Sequence, residues 1–264
     1  MLERVTADEV IRRATSGRTG PVVMVCNADT DNPVELFCKL SSGCDEGLVS
    51  LSREVVAACL AVDLGLPVPV PYIVDIPSEL AACVTDASIA HSLTASFPVA
   101  FGSRKVKNQF GTWTTGTRIT ETMLPTALSG FVFDMVLDNA DRRRTNPNCL
   151  VSGDRFRLID HELAFPSTTL LFGYKPPWAI GGMDWTLQDG AHIFYPGLKG
   201  RSLDFSPVKA VWSAVTEARL MEYRAAIPQE WSSTLPAVDN ALARIAAGRD
   251  NIDGVVAEAI RILR

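Results

Sequence analysis

Three side chains in one short region have the types and spacing that phosphoryl transfer uses. Asp141 and Asn146 are five residues apart, and Asp160 lies fourteen beyond Asn146. Transfer from ATP needs a base beside the attacking hydroxyl and oxygen ligands for magnesium. Asp141 could supply the base, and Asn146 and Asp160 the ligands. The first two stand in a polar loop, 138–148, after an apolar run. Ser152-Gly153-Asp154-Arg155 reads as a turn between two short strands, so a hairpin would return Asp160 to that loop.

The same chemistry needs a cation for the phosphate oxygens. Lys39 falls near the end of an alternating run, 34–40, which follows the β-branched run 21–26. The Asn- and Asp-rich stretch 27–32 between them is a turn signal and contains no glycine. A strand lysine is most often a solvated edge residue. Here a helix follows, expected from Ser50 or Ser52 to Leu64, with Ser52 as cap, Gly65 as stop and Glu54 in its first turn. Val55, Val56, Cys59 and Leu60 give it an apolar stripe. Two readings of Glu54 stand side by side. It complements the helix dipole, worth ~0.3–1 kcal/mol, or it holds Lys39 against phosphate oxygens.

Other elements must position these groups. Thr6 and Glu9 match a capping box, which predicts a helix after Thr6 that ends before Gly17. Prolines 67, 69 and 71 enforce an extended path into a strand at 72–74. A short helix is expected at 78–84 and a strand at 97–103. Residues 104–116, with Arg104, Lys105 and Lys107, read as a crossing between two parts of the chain. Leu128, Phe131, Val132, Met135 and Val136 share one face of a helix expected at 126–137. The stretch 165–200, rich in Gly, Pro and aromatics, reads as a substrate platform or lid, or as irregular but well-packed chain. Helices are expected at 208–215, 217–226, 239–247 and 252–263, punctuated by Pro228, Pro236 and Gly248.

Bulk properties narrow the classes. With 47% hydrophobic and 21% charged residues, the 264-residue chain can build a large core. Its formal net charge of −5 argues against a broad nucleic-acid surface. No apolar run reaches the length of a membrane span, and the first residues do not read as a signal peptide. The six cysteines form no Cys-x-x-Cys pair, so reduced thiols in a cytoplasmic protein are expected rather than a zinc site.

From Phe133 to Phe165 the sequence FDMVLDNADRRRTNPNCLVSGDRFRLIDHELAF resembles the HipA-like kinases, especially compact ones. FCKL, REVVAACLAVDLGLPVP, FGS, HIFYPGLKGR and IPQEW extend the resemblance over about 21–231. It implies an α+β, two-lobed protein-kinase-like fold, with a small β-rich N-lobe at 1–104 and a mostly helical C-lobe at 105–264. By the same resemblance Asp141 is the catalytic aspartate, Asn146 and Asp160 are magnesium ligands, and Lys39 is the phosphate-binding lysine with Glu54 its partner. The adenine slot would lie near Phe101, Gly102 and Ser103. The activity implied is ATP- and magnesium-dependent phosphorylation of a protein Ser or Thr. Part of the family pairs with an antitoxin, so a regulatory protein partner of that kind is a further implication.

Departures from the kinase pattern keep two alternatives in view. His161 and Glu162 follow Asp160 where protein kinases place a glycine at the second position, and no His-Arg precedes Asp141. A small-molecule or lipid kinase on the same scaffold is one alternative. A non-catalytic nucleotide-binding regulator is the other. Arg142, Arg143 and Arg144 could bind phosphate, or one could brace the loop through a buried carboxylate while two stay solvated. His161 could orient Asp160 or serve a plain structural hydrogen bond.

Overall fold

The computed structural model describes residues 2–15, 17, 19–27, 33–106, 109–167 and 173–264. Its N-terminal part is β-rich and its C-terminal part is helical. Five strands close a barrel in the order β1 (Glu3–Arg13), β2 (Val22–Asn27), β3 (Val34–Lys39), β5 (Val99–Arg104), β4 (Pro71–Asp75). The interior is filled by Val5, Val22, Met24, Cys26, Leu36, Cys38, Val74 and Ala100. Gly102 belongs to this packing: a Cβ there would lie 2.7 Å from Val74 Cγ2 and 3.0 Å from Leu36 Cδ1.

The expected N-terminal helix is a strand. Residues 3–13 form β1, antiparallel to β2 and parallel to β4. A capping box stabilises only the first turn, whereas two sheet edges take up hydrogen-bonding groups along the strand. Only Val5 and Ala7 turn inward fully, and register shifts between Ala7 and Glu9 and between Val10 and Arg12 match bulges that bend the strand. The turn expected at 27–32 falls largely on 28–32, outside the described residues.

Between β3 and β4 runs α1 (Leu48–Asp63), which starts at Gly47 rather than at Ser50 or Ser52. Ser52 is therefore no cap; its buried hydroxyl bonds Thr234 Oγ1 at 2.8 Å. Glu54 lies in the second turn, facing β3. Val55, Val56, Leu60 and Ala61 are fully buried, and each such Val or Leu contributes roughly 1.5–3 kcal/mol. Between β4 and β5 lie α2 (Leu80–Cys83) and α3 (Ala87–Thr94); the latter was not anticipated, though Asp86 caps it through Ser88 N and Ile89 N.

The C-terminal part is built around α4 (Leu124–Leu137), buried on nearly every side over its last two turns. A three-stranded sheet follows, with β6 (Gly111–Thr112) beside the hairpin of β7 (Cys149–Ser152) and β8 (Arg155–Leu158). Leu158 N donates to Pro67 O at 2.8 Å, so the proline-rich segment docks against β8. The chain ends with α5 (Tyr195–Leu198), α6 (Ser206–Ser213), α7 (Glu217–Ala225), α8 (Leu235–Asp250) and α9 (Ile252–Leu263). No helix among the described residues is long and apolar enough to cross a membrane.

Gly248 does not punctuate the tail. It is buried inside α8, where a Cβ would meet Val136 Cγ1 of α4 at 2.3 Å. In an exposed helix Gly→Ala stabilises by about 1 kcal/mol. Gly248→Ala should instead lower the melting temperature, because α4 and α8 would have to separate. A thermal melt showing stabilisation would refute that close approach.

Candidate active site

At the end of β3, Lys39 is not a solvated edge residue. It is 7% exposed, and its Nζ donates to Glu54 Oε1 at 2.5 Å, Asp160 Oδ1 at 2.6 Å and Glu162 Oε2 at 3.0 Å. Alternation along β3 puts Lys39 on the strand face toward α1, and α1 presents Glu54 one and a half turns in. Phe101 is the cross-strand neighbour of Lys39 on β5, with Gly102 opposite Cys38 and Ser103 opposite Phe37. Asp160 follows β8 directly, at φ +60°, a left-handed conformation that aspartate tolerates better than most residues.

Electrostatics in this cluster follow from three carboxylates around one ammonium. Burial works against the Lys39 charge, but Glu54, Asp160 and Glu162 together hold its pKa well above the usual lysine range. Burial would raise Glu54, yet Lys39 and contacts from His161 hold it well below the usual carboxylate range. Glu162 shifts the other way: burial, with Asp160 adding to it, outweighs the attraction of Lys39. The cluster is therefore short of positive charge. Ligand oxygens of Glu54, Asp160 and Glu162 lie within 4.8 Å of one another, a hard-oxygen set of the kind magnesium takes.

Lys39→Met removes the cation that bridges the three acids and should destabilise the fold by roughly 1–3 kcal/mol. Adding Glu162→Gln should restore part of that loss. Equal stability of wild type and Lys39→Met in urea melts would overturn the charge balance described above.

The second half of the site is the 138–148 loop. Arg143 N donates to Asn146 O at 3.1 Å and Asn146 N to Arg143 O at 3.0 Å, closing a tight turn. That turn brings Asn146 Nδ2 to Asp141 Oδ2 at 2.7 Å, and Asn148 Nδ2 reaches the same oxygen at 2.9 Å. Both amides converge on one carboxylate oxygen. Asp141 Oδ1 takes neither amide and has Arg143 Nε at 3.8 Å. Because Asn146 spends its NH₂ on Asp141, its side-chain oxygen is the group left for a cation. Asp138 and Asn148, at the two ends of the loop, also adopt positive φ; such conformations concentrate at functional sites.

Beneath the loop lies a buried hub; one bracing arginine was expected, but its carboxylate, Asp134, and the histidine beside it, His192, were missed. Asp134, on the last turn of α4, is fully buried and accepts from Asn139 Nδ2 at 2.7 Å, Arg142 Nε at 2.7 Å and His192 Nε2 at 3.1 Å. Phe194 N donates to His192 Nδ1 at 3.1 Å, so the proton sits on Nε2 and the ring is neutral. Burial pushes the His192 pKa down, in agreement. Burial opposes the Asp134 charge, but Arg142 and His192 carry its pKa down to about 2. Arg142, also fully buried, donates to the carbonyls of Asn148 and Ile159. It thereby ties the loop to the strand end that carries Asp160. One signal was available: an aspartate inside the apolar run Phe131-Val132-Phe133-Asp134-Met135-Val136-Leu137 must find buried partners.

The other arginines differ from Arg142. Both are exposed; Arg144 pairs with Asp189 at 2.8 Å. His161 does not address Asp160. Its backbone N–H donates to Glu54 Oε1 at 2.9 Å, and its ring Nδ1 lies 3.6 Å from Glu54 Oε2. The ring packs edge-on against Phe133, with centroids 5.6 Å apart. Glu162, noted in the sequence only as a departure from the protein-kinase pattern, is a direct partner of Lys39.

Lys39 and Asp160, 121 positions apart, meet beside a loop that gathers Asp141 and Asn146. The class these parts belong to is a kinase-type phosphotransferase. More particularly, the sequence model of the HipA-like kinases matches residues 7–172, more than half the chain, and this protein belongs to that family. No curated protein matches the chain by sequence. Among solved structures, the Helicobacter pylori proinflammatory kinase CtkA is similar at 10% identity, covering 93% of this chain and 99% of that one, with a TM-score of 0.46.

Proposed function

We propose that this protein transfers the γ-phosphate of ATP to a serine or threonine hydroxyl of another protein. The observation that carries the reading is the convergence of the Lys39–Glu54–Asp160 cluster with the Asp141–Asn146 loop, pinned together by Arg142. In this reading the β-rich part, 1–104, is the N-lobe and 105–264 the C-lobe. β5, at Phe101, Gly102 and Ser103, flanks the nucleotide.

Lys39 binds phosphate oxygens as a point charge, and Glu54 keeps its ammonium in place. Asp141 orients the acceptor hydroxyl through Oδ1 and takes its proton, while Asn146 and Asn148 fix the carboxylate. Asp160 and the Asn146 side-chain oxygen fit magnesium as hard oxygen donors, with Glu162 near enough to assist. Magnesium, when bound, would offset charge on the phosphates.

The direct experiment is transfer of labelled γ-phosphate from magnesium-ATP to the protein itself, to a generic protein and to cell lysate. Label on protein supports the reading; label confined to small hydroxylated compounds refutes the protein acceptor. Asp160→Asn should weaken magnesium-dependent nucleotide binding roughly tenfold or more, since even the loss of groups that orient metal ligands has effects of that size. Unchanged magnesium dependence in calorimetric titrations would remove Asp160 from the metal site.

A further inference from the structure

One cavity adjoins the 141–148 loop and is not part of the Lys39 cluster. Its volume is about 570 Å³, a size typical of small-ligand sites. Its wall contains Arg144 and Pro147 of the loop itself. Arg144 N donates to Gly190 O at 2.9 Å and Ile193 N to Arg142 O at 3.2 Å, so loop and cavity wall are stitched together. Arg144 stands three residues after Asp141 on the same tight turn. A molecule seated here therefore lies alongside the loop that carries Asp141.

The lining has a definite chemistry. Trp113 and Ile119, both nearly buried, form an apolar base. Four cations reach the cavity, Arg118, Arg144, Lys199 and Arg201, against one carboxylate, Asp189. Asp189 is held by Arg144, and Arg201 is engaged by the Ile119 carbonyl at 3.2 Å and by Glu121 at 2.5 Å. Arg118 and Lys199 have no carboxylate partner among the described residues; Lys199 only stands 5.6 Å from the Tyr195 ring centroid. A positive pocket in a chain of net charge −5 is a local feature, and it favours anions.

We propose that this cavity is the anion-binding subsite for the acceptor: it takes a carboxylate or phosphate group carried by the molecule that receives the phosphoryl group. The word acceptor rests on the phosphotransferase reading; the binding chemistry does not. The anion could come from acidic residues flanking the phosphorylated serine, or from a small phosphorylated alcohol. The ligand would lay apolar atoms against Trp113 and direct its charge toward Arg118 and Lys199.

The test uses the full chain without nucleotide, at low salt. A fluorescein-labelled peptide with glutamates around a serine is titrated by anisotropy, beside the same peptide with glutamines. Glycerol 3-phosphate and ATP serve as unlabelled competitors. The glutamate peptide should bind about tenfold more tightly than the glutamine peptide, and Arg118→Gln with Lys199→Gln should abolish most of that difference. Both side chains are exposed, so the double variant should melt like wild type. Direct binding of glycerol 3-phosphate in a calorimetric titration, with no binding of either peptide and lost in the double variant, also supports the anion site and assigns it to a small molecule.

Equal binding of the two peptides with no effect of glycerol 3-phosphate overturns the proposal. So does a glutamate preference that survives in the double variant. Displacement of the peptide by ATP alone would mean that the cavity serves the donor nucleotide, which also overturns it. Labelled-phosphate transfer to both peptides is measured in parallel. Equal transfer without selective binding leaves the phosphotransferase standing and removes the subsite. Selective binding with no transfer to any acceptor supports the anion site and refutes its assignment to an acceptor.

Discussion

Asp141→Asn is expected to lower phosphoryl transfer by about 10²–10⁴-fold while leaving nucleotide binding within a few-fold of wild type. Asp141 Oδ2 accepts from Asn146 and Asn148, and an asparagine oxygen at the same place accepts both bonds. The loop would keep its turn. The amide nitrogen would then occupy the position of Oδ1, where it donates instead of accepting and cannot take a proton from a hydroxyl. The phosphate-side groups, Lys39, Glu54 and Asp160, do not bond Asp141. Nucleotide affinity and transfer should therefore separate. The measurement is single-turnover transfer from labelled magnesium-ATP for the two proteins side by side, with nucleotide affinity by calorimetry. Full activity in purified Asp141→Asn would sink the assignment. Loss of both binding and transfer would show that the residue holds the site together rather than acting on the acceptor.

The second large effect concerns stability. Arg142→Ala should cost roughly 3–5 kcal/mol, the range for removing one partner of a buried ion pair. Asp134 would remain fully buried, with only Asn139 and His192 to offset its charge. Two carbonyls, of Asn148 and Ile159, would lose their donor as well. Arg142→Lys should recover part of the loss, because an ammonium keeps the charge but cannot reproduce the planar fork. Urea unfolding checks both variants; a change within about 0.5 kcal/mol for Arg142→Ala would show that the hub is not a structural support.

The same hub sets an acid limit to stability. Asp134 has a folded pKa lowered to about 2, so the unfolded chain binds its proton more readily. Its stabilising contribution is complete above the ordinary carboxylate range and is lost as pH falls toward 2. His192, also lowered, acts with the same sign: its neutral form fits the folded state, and protonation of the unfolded chain below about pH 6.5 favours unfolding. Wild type should lose stability on acidification in two stages. In Arg142→Ala the lower stage should shrink, since Asp134 no longer has a cation to depress its pKa.

How much of this was legible in the sequence depended on distance along the chain. The 141–148 loop was readable because its geometry is local: a tight turn across 143–146 suffices to place Asn146 against Asp141. The β7–β8 hairpin was readable for the same reason, and it brought Asp160 to the right end of a strand. Lys39 and Glu54 were visible as a pair of competing readings, and contact between them required the packing of α1 on β3. Glu162 was seen only as a deviation. Asp134 and His192, 58 positions apart, were not recognised as partners, since no local pattern joins them.

The sequence by itself determined the chemical types at the loop, the alternation of β3 and the amphipathic or wholly apolar character of the helices. These follow from dihedral limits and from the periods of strand and helix. Tertiary structure decided the rest. It made a strand of residues 3–13, although their capping box suggests a helix, because β2 and β4 offered sheet edges on both sides. It buried Lys39 among three acids that the sequence disperses over 109 positions, and it used Arg142 rather than Arg143 or Arg144 as the brace. In each case the deciding energy was that of a buried charge or backbone group, whose partner is fixed by packing and not by spacing.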